Sequence, residues 1–425
     1  MSDLRPAACC IVGGGPAGMM LGFLLARAGA EAIVLEKHGD FLRDFRGDTV
    51  HPSTLNVMDE LGLLDAFLAL PHQKVDRLSA QFGERRLKVA DFSHLPGRGR
   101  FIAMMPQWDF LNFLAGQGRR YPGFRALLNA EATGLLEESG RVIGVRATVD
   151  GRPQEIRADL VVGADGRHSI VRAAAGLVPR VLGAPMDVLW FRLSRRAGDS
   201  GETMGRFDAG SILVMLDRGD YWQCAYVIAK GSAERVKAAG LAPFRARLAT
   251  LMPFLADRLD ELGSVDDLKL LTVGVERLER WWKPGLLCIG DAAHTMSPIG
   301  GVGVNLAVQD AVAAANLLAA PLRERRLTDS DLQAVQDRRL WPARAVQSAQ
   351  VFLQDRMIGP TLAGTRPIAP PWPARLLDAV PLLRRVPARL VGLGLRPEHV
   401  QSLPPLPSSS SPPLGGEAGR GGDAG

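Results

Sequence analysis

The residues best suited to chemistry cluster in three glycine-containing stretches. The first, GGGPAG, sets Gly13, Gly15 and Gly18 in a G-x-G-x-x-G spacing, with Pro16 and Ala17 between the last two. It follows the apolar run AACCIV and opens an apolar helical pattern; Glu36 and Lys37 close the next apolar run, EAIVLEK. In such a unit the first glycine permits a tight turn and the second lets backbone approach a pyrophosphate. The third lets the helix pack closely on the sheet, and the helix N-terminus supplies free N–H groups and partial positive charge. A carboxylate at the position of Glu36 accepts hydrogen bonds from a ribose. This unit alone does not distinguish NAD from FAD. The second stretch is VVGADGRHSIVR, with Asp165, Gly166 and Arg172. The third, IGDAAHTMSPIGGVGVNLAVQD, packs Asp291, His294, Pro298, four glycines and Asn305 into a strand-to-helix junction. So little side chain in one place leaves backbone open to a ligand.

These stretches need elements to carry them. AACCIV, the helix through MMLGFLLARAGA and EAIVLEK form a β-turn-α-β order, which predicts a parallel sheet because parallel strands need a crossover. HPSTLNVMDELGLLDAFLAL reads as helices, and PQWDFLNFLAGQGRR starts one at Pro106. Residues 124–162 alternate, with turns at ESGR and VDGR, as a strand meander does. Residues 180–275 carry the strand-like runs VLWFRLS, SILVMLD and WQCAYVIA, then a helical stretch near 233–262. GLLCIG is another buried strand, and 303–320 and 329–358 are helices. The expected fold class is α/β: a Rossmann-like domain with a parallel sheet and β-meander, interrupted by a mixed-sheet domain, plus C-terminal helices. The division follows as 1–72, 101–178 and 276–345 for the nucleotide-binding domain, and 73–100 and 179–275 for the inserted domain. A helical cover occupies 346–403 and a disordered, Pro/Ser/Gly-rich tail 404–425.

Composition sets the outer bounds. An apolar fraction of 47% and a charged fraction of 23% over 425 residues are those of an ordinary globular protein of two or three domains. The net charge of +6 comes from scattered arginines, without a basic stripe interleaved with aromatics, so no nucleic-acid partner is expected. Cys9, Cys10, Cys224 and Cys288 show no metal-ligand or redox spacing, so no metal is expected. The N-terminus lacks a signal-peptide pattern, and no stretch reads as a membrane span of roughly 20 apolar residues. The expected compartment is the cytoplasm.

The second and third stretches, in this order and spacing after the G-x-G-x-x-G unit, resemble the signatures of the single-component FAD-dependent aromatic hydroxylases, the family typified by para-hydroxybenzoate hydroxylase. The resemblance covers roughly residues 7–345. It implies FAD as cofactor, held by Gly13, Gly15, Pro16, Ala17, Gly18, Glu36, Lys37, Arg46, Gln107, Asp165, Gly166, Asp291, Gly301, Gly303, Val304 and Asn305. Within that set it places Asp291 on the ribityl or ribose, Gln107 on the ribityl or phosphate and Asn305 at the pyrimidine side of the ring. The carbonyl of Pro298 comes to the reacting flavin edge and Arg46 reaches the cofactor from the loop after the second strand; these two are the candidate catalytic residues. Val302 departs from the Gln common at its position. His51, His168 and His294 read as locally satisfied polar residues, and Trp281-Trp282 as packing.

The resemblance further implies NADH or NADPH and O2 as co-substrates. Hydroxyl transfer through a flavin hydroperoxide takes place to an aromatic, quinone-like or polyketide-like small molecule. Only one nucleotide-binding unit is present, so the nicotinamide donor is expected to dock transiently; the resemblance implies a place near Asp165 and Arg172 and a flavin that swings between an outward and an inward position. No WxWxIP sequence occurs, which argues against a flavin halogenase. The alternatives are a reductase or dehydrogenase on the same fold, without oxygen insertion, and a non-catalytic flavin-binding regulatory protein. Tyr221 and Tyr226 line the substrate pocket or pack. The segment PPWPARLLDAVPLLRRVPARLVGLGLRPEHV covers the FAD domain or gives weak peripheral membrane contact. The protein is expected as a monomer or homodimer.

Overall fold

The computed structural model describes residues 6–42, 48–199, 203–365 and 369–401. Arg46 and the tail 404–425 lie outside the described residues.

Strand Ala7–Val12 is buried at every position, as an apolar run flanked by two strands and covered on both faces must be. It pairs in parallel with Ala32–Leu35 on one side and Arg152–Gly163 on the other. Helix Pro16–Arg27 supplies the crossover. The order across this sheet is Trp282–Lys283, Leu286–Cys288, Arg152–Gly163, Ala7–Val12, Ala32–Leu35, Phe124–Leu127. Strand Arg152–Gly163 serves two roles. Its C-terminal half lies in the parallel sheet, and its N-terminal half pairs antiparallel with Arg141–Val149, which pairs with Ala130–Glu138. The meander turns where the sequence places ESGR and VDGR. Ser139–Gly140 and Asp150–Gly151 all have positive φ, the hairpin geometry that matches strand twist.

A second, seven-stranded sheet runs Lys269–Leu271, Met186–Ser194, Tyr221–Ala229, Ser211–Asp217, Met204–Asp208, Arg77–Phe82, Arg85–Asp91. Its last two strands come from a segment about 100 residues before the others, through the parallel pairing of Met204–Asp208 with Arg77–Phe82. Alternation gives this sheet two faces. Leu189, Phe191, Leu213, Trp222, Cys224 and Tyr226 face a cover that includes Phe244 and Leu248 of helix Leu241–Leu251. Val188, Ile212, Ala225 and Val227 face the other way, where Trp190, Val214 and Ile299 pack with them.

The segment Ile299–Arg323 forms helical structure long and apolar enough to cross a membrane by length and composition. It is nevertheless a core element: helix Gly303–Arg323 packs on helix Pro16–Arg27 and buries Asn305, Gln309 and Asp310 among its apolar residues. Beyond helix Asp329–Leu353, two short helices, Trp372–Ala379 and Arg385–Gly392, lie against strand Arg85–Asp91. Gly392 sits so close that an added Cβ would be 2.8 Å from the Leu95 side chain.

Candidate cofactor and active site

Three parallel strands end side by side. Val12 is paired with both Leu35 and Gly163, and Gly163 with Cys288. The three glycine stretches therefore emerge together at the carboxyl edge of the sheet, where ligands of open α/β sheets bind.

At the first stretch, each glycine answers a different demand. Gly13 has φ +107°, and an added Cβ would lie 2.3 Å from the carbonyl oxygen of Ala164. A Cβ on Gly18 would lie 1.9 Å from the Gly13 oxygen, so only glycine lets the helix approach the strand. Gly15 caps helix Pro16–Arg27 with ordinary extended dihedrals, and nothing of the protein lies within 4 Å of a Cβ built there. Pro16 occupies the first helical position, where its missing N–H is no loss. Glu36 is buried at the end of the second strand; its carboxylate accepts from the Gly14 N–H at 3.2 Å and the His38 N–H at 3.0 Å. Lys37 is exposed and Ala17 buried.

The second stretch is more self-contained than its motif reading. The carboxylate of Asp165 accepts from the Ser169 hydroxyl at 2.5 Å and the Val171 N–H at 3.1 Å, so it caps the short helix Ile170–Ala174. Burial pushes its pKa up, against these hydrogen bonds. Gly166 has φ +83° with open space around it. Arg172 donates to the Arg167 oxygen at 2.7 Å and the Ala292 oxygen at 3.2 Å, fastening the second stretch to the third.

In the third stretch, Gly290–Ala292 forms a single helical turn that carries the half-buried Asp291. A Cβ on Gly290 would meet those of Ala17 and Ala307 at 3.2 and 3.3 Å, so this turn is pinched between two helices. The Gly290 N–H donates to Asp310 at 3.0 Å; the same carboxylate bonds His294 at 2.7 Å and accepts from Arg339 at 3.0 Å. Arg339 also reaches Glu398 at 3.1 Å. Burial raises the Asp310 pKa, but His294 and Arg339 outweigh it and hold the carboxyl below its usual range. His294 thus supports the turn from beneath. Asp310, Arg339 and Glu398 escape motif reading; the one signal was a lone acid on an apolar helix face.

The glycine turn follows. Gly300 and Gly301 have φ +78° and +63°, and the Pro298 oxygen accepts the Gly301 N–H at 3.0 Å. A Cβ on Gly301 would lie 2.7 Å from the Thr49 hydroxyl, which donates to the Gly301 oxygen at 3.1 Å. Gly303, by contrast, would meet only Met296 at an ordinary 3.9 Å, so the protein itself does not demand glycine there. Val304 is half-buried. The Asn305 carbonyl oxygen accepts from the His51 N–H at 2.9 Å and the Thr54 hydroxyl at 2.7 Å, so this side chain ties the helix to the chain entering helix Pro52–Glu60. His51 is fully buried, and burial drives its pKa down to about 4.

One contact joins this turn to the second sheet: Ile299 packs with the Val188, Ala225 and Val227 face. The chain just before Thr49 is joined to the same sheet by a buried Asp48–Arg218 pair at 2.8 Å, with Arg218 donating to Gln223 at 2.8 Å and the Gln107 N–H to Asp48 at 3.3 Å. Burial pushes the Asp48 carboxyl up and the Arg218 guanidinium down, each opposed by the other's charge. The two tyrosines separate: Tyr226 bonds Ser211 at 2.9 Å and packs on Phe244, on the outer face, while Tyr221 shares the inner face with Gln223 and Ala225. All four cysteines are buried, which pushes the Cys10 thiol to about 12. Among the described residues no group of three His, Cys, Asp or Glu side chains is placed to hold a metal ion.

Residues 7–349 match the family model described as "FAD binding domain". The chain is 36% identical over 388 residues to 6-methylpretetramide 4-monooxygenase of Streptomyces rimosus, covering 90% of this chain and 91% of that one. To rifampicin monooxygenase of Streptomyces venezuelae it is 28% identical, over 71% of this chain and 61% of the relative. Among solved structures, OxyS anhydrotetracycline hydroxylase from Streptomyces rimosus superposes with a TM-score of 0.70 at 25% identity, covering 91% of this chain and 76% of that one. The p-nitrophenol 4-monooxygenase PnpA from Pseudomonas putida gives 0.72 at 18% identity, over 90% and 96% of the two chains.

Proposed function

The chain belongs to the family of FAD-dependent aromatic hydroxylases, and from that premise we propose that it uses NADH or NADPH and O2 to hydroxylate a polycyclic, polyketide-like aromatic. The observation that carries this reading is that the third of the three strand-end stretches meets the inner face of the second sheet at Ile299. The relative that is similar over nine-tenths of both chains is named for 6-methylpretetramide, a substrate of the polycyclic kind.

The residues fit FAD. Beside Gly15 the protein leaves open the position a side chain would fill, at the N-terminus of a buried helix. That is what a pyrophosphate requires of backbone. Glu36 stands at the lip for the ribose, and Asp291 at the third strand's end for the ribityl or ribose hydroxyls. Gly301, Gly303 and Val304 offer backbone at the start of a helix. When bound, FAD supplies the redox chemistry, accepting a hydride from the nicotinamide and activating dioxygen.

The chain's own part is to position and to dry the site. Trp190 and Val214, half-buried on the inner face and backed by the buried Val188, Ala225 and Val227, give an apolar wall for an aromatic body. Tyr221, Gln223 and the Asp48–Arg218 pair give it a polar end. Asp165 and Arg172 fix the shape of the surface that the nicotinamide donor meets, since both side chains are engaged within the protein. Oxygen uptake dependent on NADH or NADPH, run with tetracyclic aromatic substrates and read by product mass, tests the proposal. The expected product gains one oxygen atom. A product that gains hydrogen and no oxygen would assign a reductase instead.

A further inference from the structure

A surface helix of a globular protein turns its large apolar side chains inward. Helices Trp372–Ala379 and Arg385–Gly392 do the opposite. Their buried residues are small, Ala374 in the first and Ala388 and Gly392 in the second. Most of their large residues face out: Trp372 is 69% exposed and Val386 57%, with Leu376 and Leu390 exposed as well, and beside the helices Leu382 is 61% exposed and Leu395 exposed. Spacing of four residues puts Trp372 with Leu376, and Leu382 with Val386 and Leu390, on continuous stripes. Arg375, Arg385, Arg389 and Arg396 border these stripes, all exposed and without a carboxylate partner among the described residues. Asp378, the one acid from 369 to 396, is turned to the body, where it accepts the Lys88 N–H at 3.0 Å.

We propose that this outer face docks on an anionic lipid bilayer. Apolar stripes flanked by arginines, with a tryptophan at one end, fit the boundary between head groups and acyl chains. There tryptophan sits at head-group level and guanidinium groups pair with lipid phosphates. A second copy of this chain fits less well: the face set against itself would bury these arginines with Asp378 as the one carboxylate, already engaged by the Lys88 N–H and Arg384. The face is a fixed surface of the folded body. Gly392 is seated on Leu95 and Phe92, the Val391 oxygen bonds the ring of His51 at 2.8 Å, and the Gln309 amide donates to the Leu393 oxygen at 3.3 Å.

The test is cosedimentation of the full FAD-loaded chain with vesicles of phosphatidylglycerol and phosphatidylcholine, against vesicles of phosphatidylcholine alone. Binding is expected only with the anionic vesicles, and it should weaken as salt rises. Arg385→Gln with Arg389→Gln should lower the partition by on the order of tenfold or more, because each basic group near an anionic surface contributes about a fivefold factor. Val386→Asp with Leu390→Asp should abolish binding while flavin content and melting temperature stay those of the unaltered chain. Failure to sediment with anionic vesicles overturns the proposal, as does binding that survives the double aspartate. So does a dimer in solution that the double aspartate dissolves, which would assign the face to a second copy.

Discussion

Replacing Gly15 by alanine should weaken FAD binding and leave the fold intact, and Gly13→Ala should damage the fold itself. At Gly15 the backbone has φ −75° and ψ −175°, open to any residue, and nothing of the protein lies within 4 Å of the added Cβ. On protein contacts alone, Gly15→Ala should be neutral or stabilising by about 0.4–1 kcal/mol, through the unfolded chain. If a pyrophosphate lies against this backbone, the new methyl displaces it. Losing one hydrogen bond to a charged group, about 1.5–3 kcal/mol, weakens the FAD dissociation constant by roughly ten- to a hundredfold. Gly13 is the converse case. Its φ of +107° costs a side-chain-bearing residue about 1–3 kcal/mol, and its Cβ would also lie 2.3 Å from the Ala164 oxygen. The clash extends along that backbone, with the Ala164 carbonyl carbon at 2.6 Å and the Asp165 Cα at 2.8 Å, so turning one oxygen aside does not relieve it. A loss of about 3 kcal/mol or more is expected, from a total of about 5–15 kcal/mol. Urea unfolding of the apoprotein reads the first quantity and quenching of flavin fluorescence the second. A folded Gly15→Ala protein that binds FAD as tightly as the parent would refute the placement of the pyrophosphate.

Asp310→Asn should destabilise the protein by about 1.5–3 kcal/mol, the worth of a hydrogen bond to a charged group, since Arg339 loses one carboxylate but keeps Glu398; the Asp310 carboxyl titrates below its usual range, so the difference from the parent in urea unfolding should hold above about pH 4 and shrink as pH falls through the lower folded value. His51, with a folded pKa lowered to about 4 from 6.5, should make stability fall as pH drops from 6.5 towards 4, by about 3 kcal/mol in all at about 1.4 kcal/mol per unit. His51→Gln should flatten that part of the curve, and a parent and variant with parallel curves would contradict a neutral buried imidazole. Tyr221→Phe should change turnover or product distribution with stability within about 0.5 kcal/mol, whereas Tyr226→Phe should lower the melting temperature by removing the Ser211 partner and leave product distribution unchanged.

The parts of this protein legible in the sequence are those fixed locally. A glycine before a helix, an apolar run of six, or a turn such as VDGR constrains backbone whatever surrounds it. The parallel sheet, the meander and the three strand-end stretches followed from such cues. What escaped depends on partners distant in the chain. Arg172 fastens the second stretch to the third through the Ala292 oxygen, 120 positions away. Asn305 reads as a cofactor contact, yet its carbonyl holds His51 and Thr54, about 250 positions away. The two tyrosines were decidable: five residues apart on one strand, they must point to opposite faces. The long apolar run after Gly303 was legible as a helix, and its polar Asn305, Gln309 and Asp310 are buried with it in the core.

The glycine turn shows how these distant partners bear on function. Its middle residues, Gly300 and Gly301, occupy conformations that favour glycine, but its ends are held from outside. Gln350, buried on helix Asp329–Leu353, accepts the Ser297 N–H and donates to the Ser297 and Ile299 oxygens, each at 3.0 Å. Thr49 holds the Gly301 oxygen from the opposite side. Backbone donors fixed in this way need no reorganisation when charge develops beside them, the condition under which dipoles stabilise a reacting group most. Any motion of the turn that accompanied reduction by the nicotinamide donor would have to break several of these bonds, at about 1 kcal/mol each. The glycines therefore serve close approach rather than mobility. In the proposed reaction any gating movement would fall instead to the bound cofactor or to the second sheet, whose contact with the turn through Ile299 is apolar.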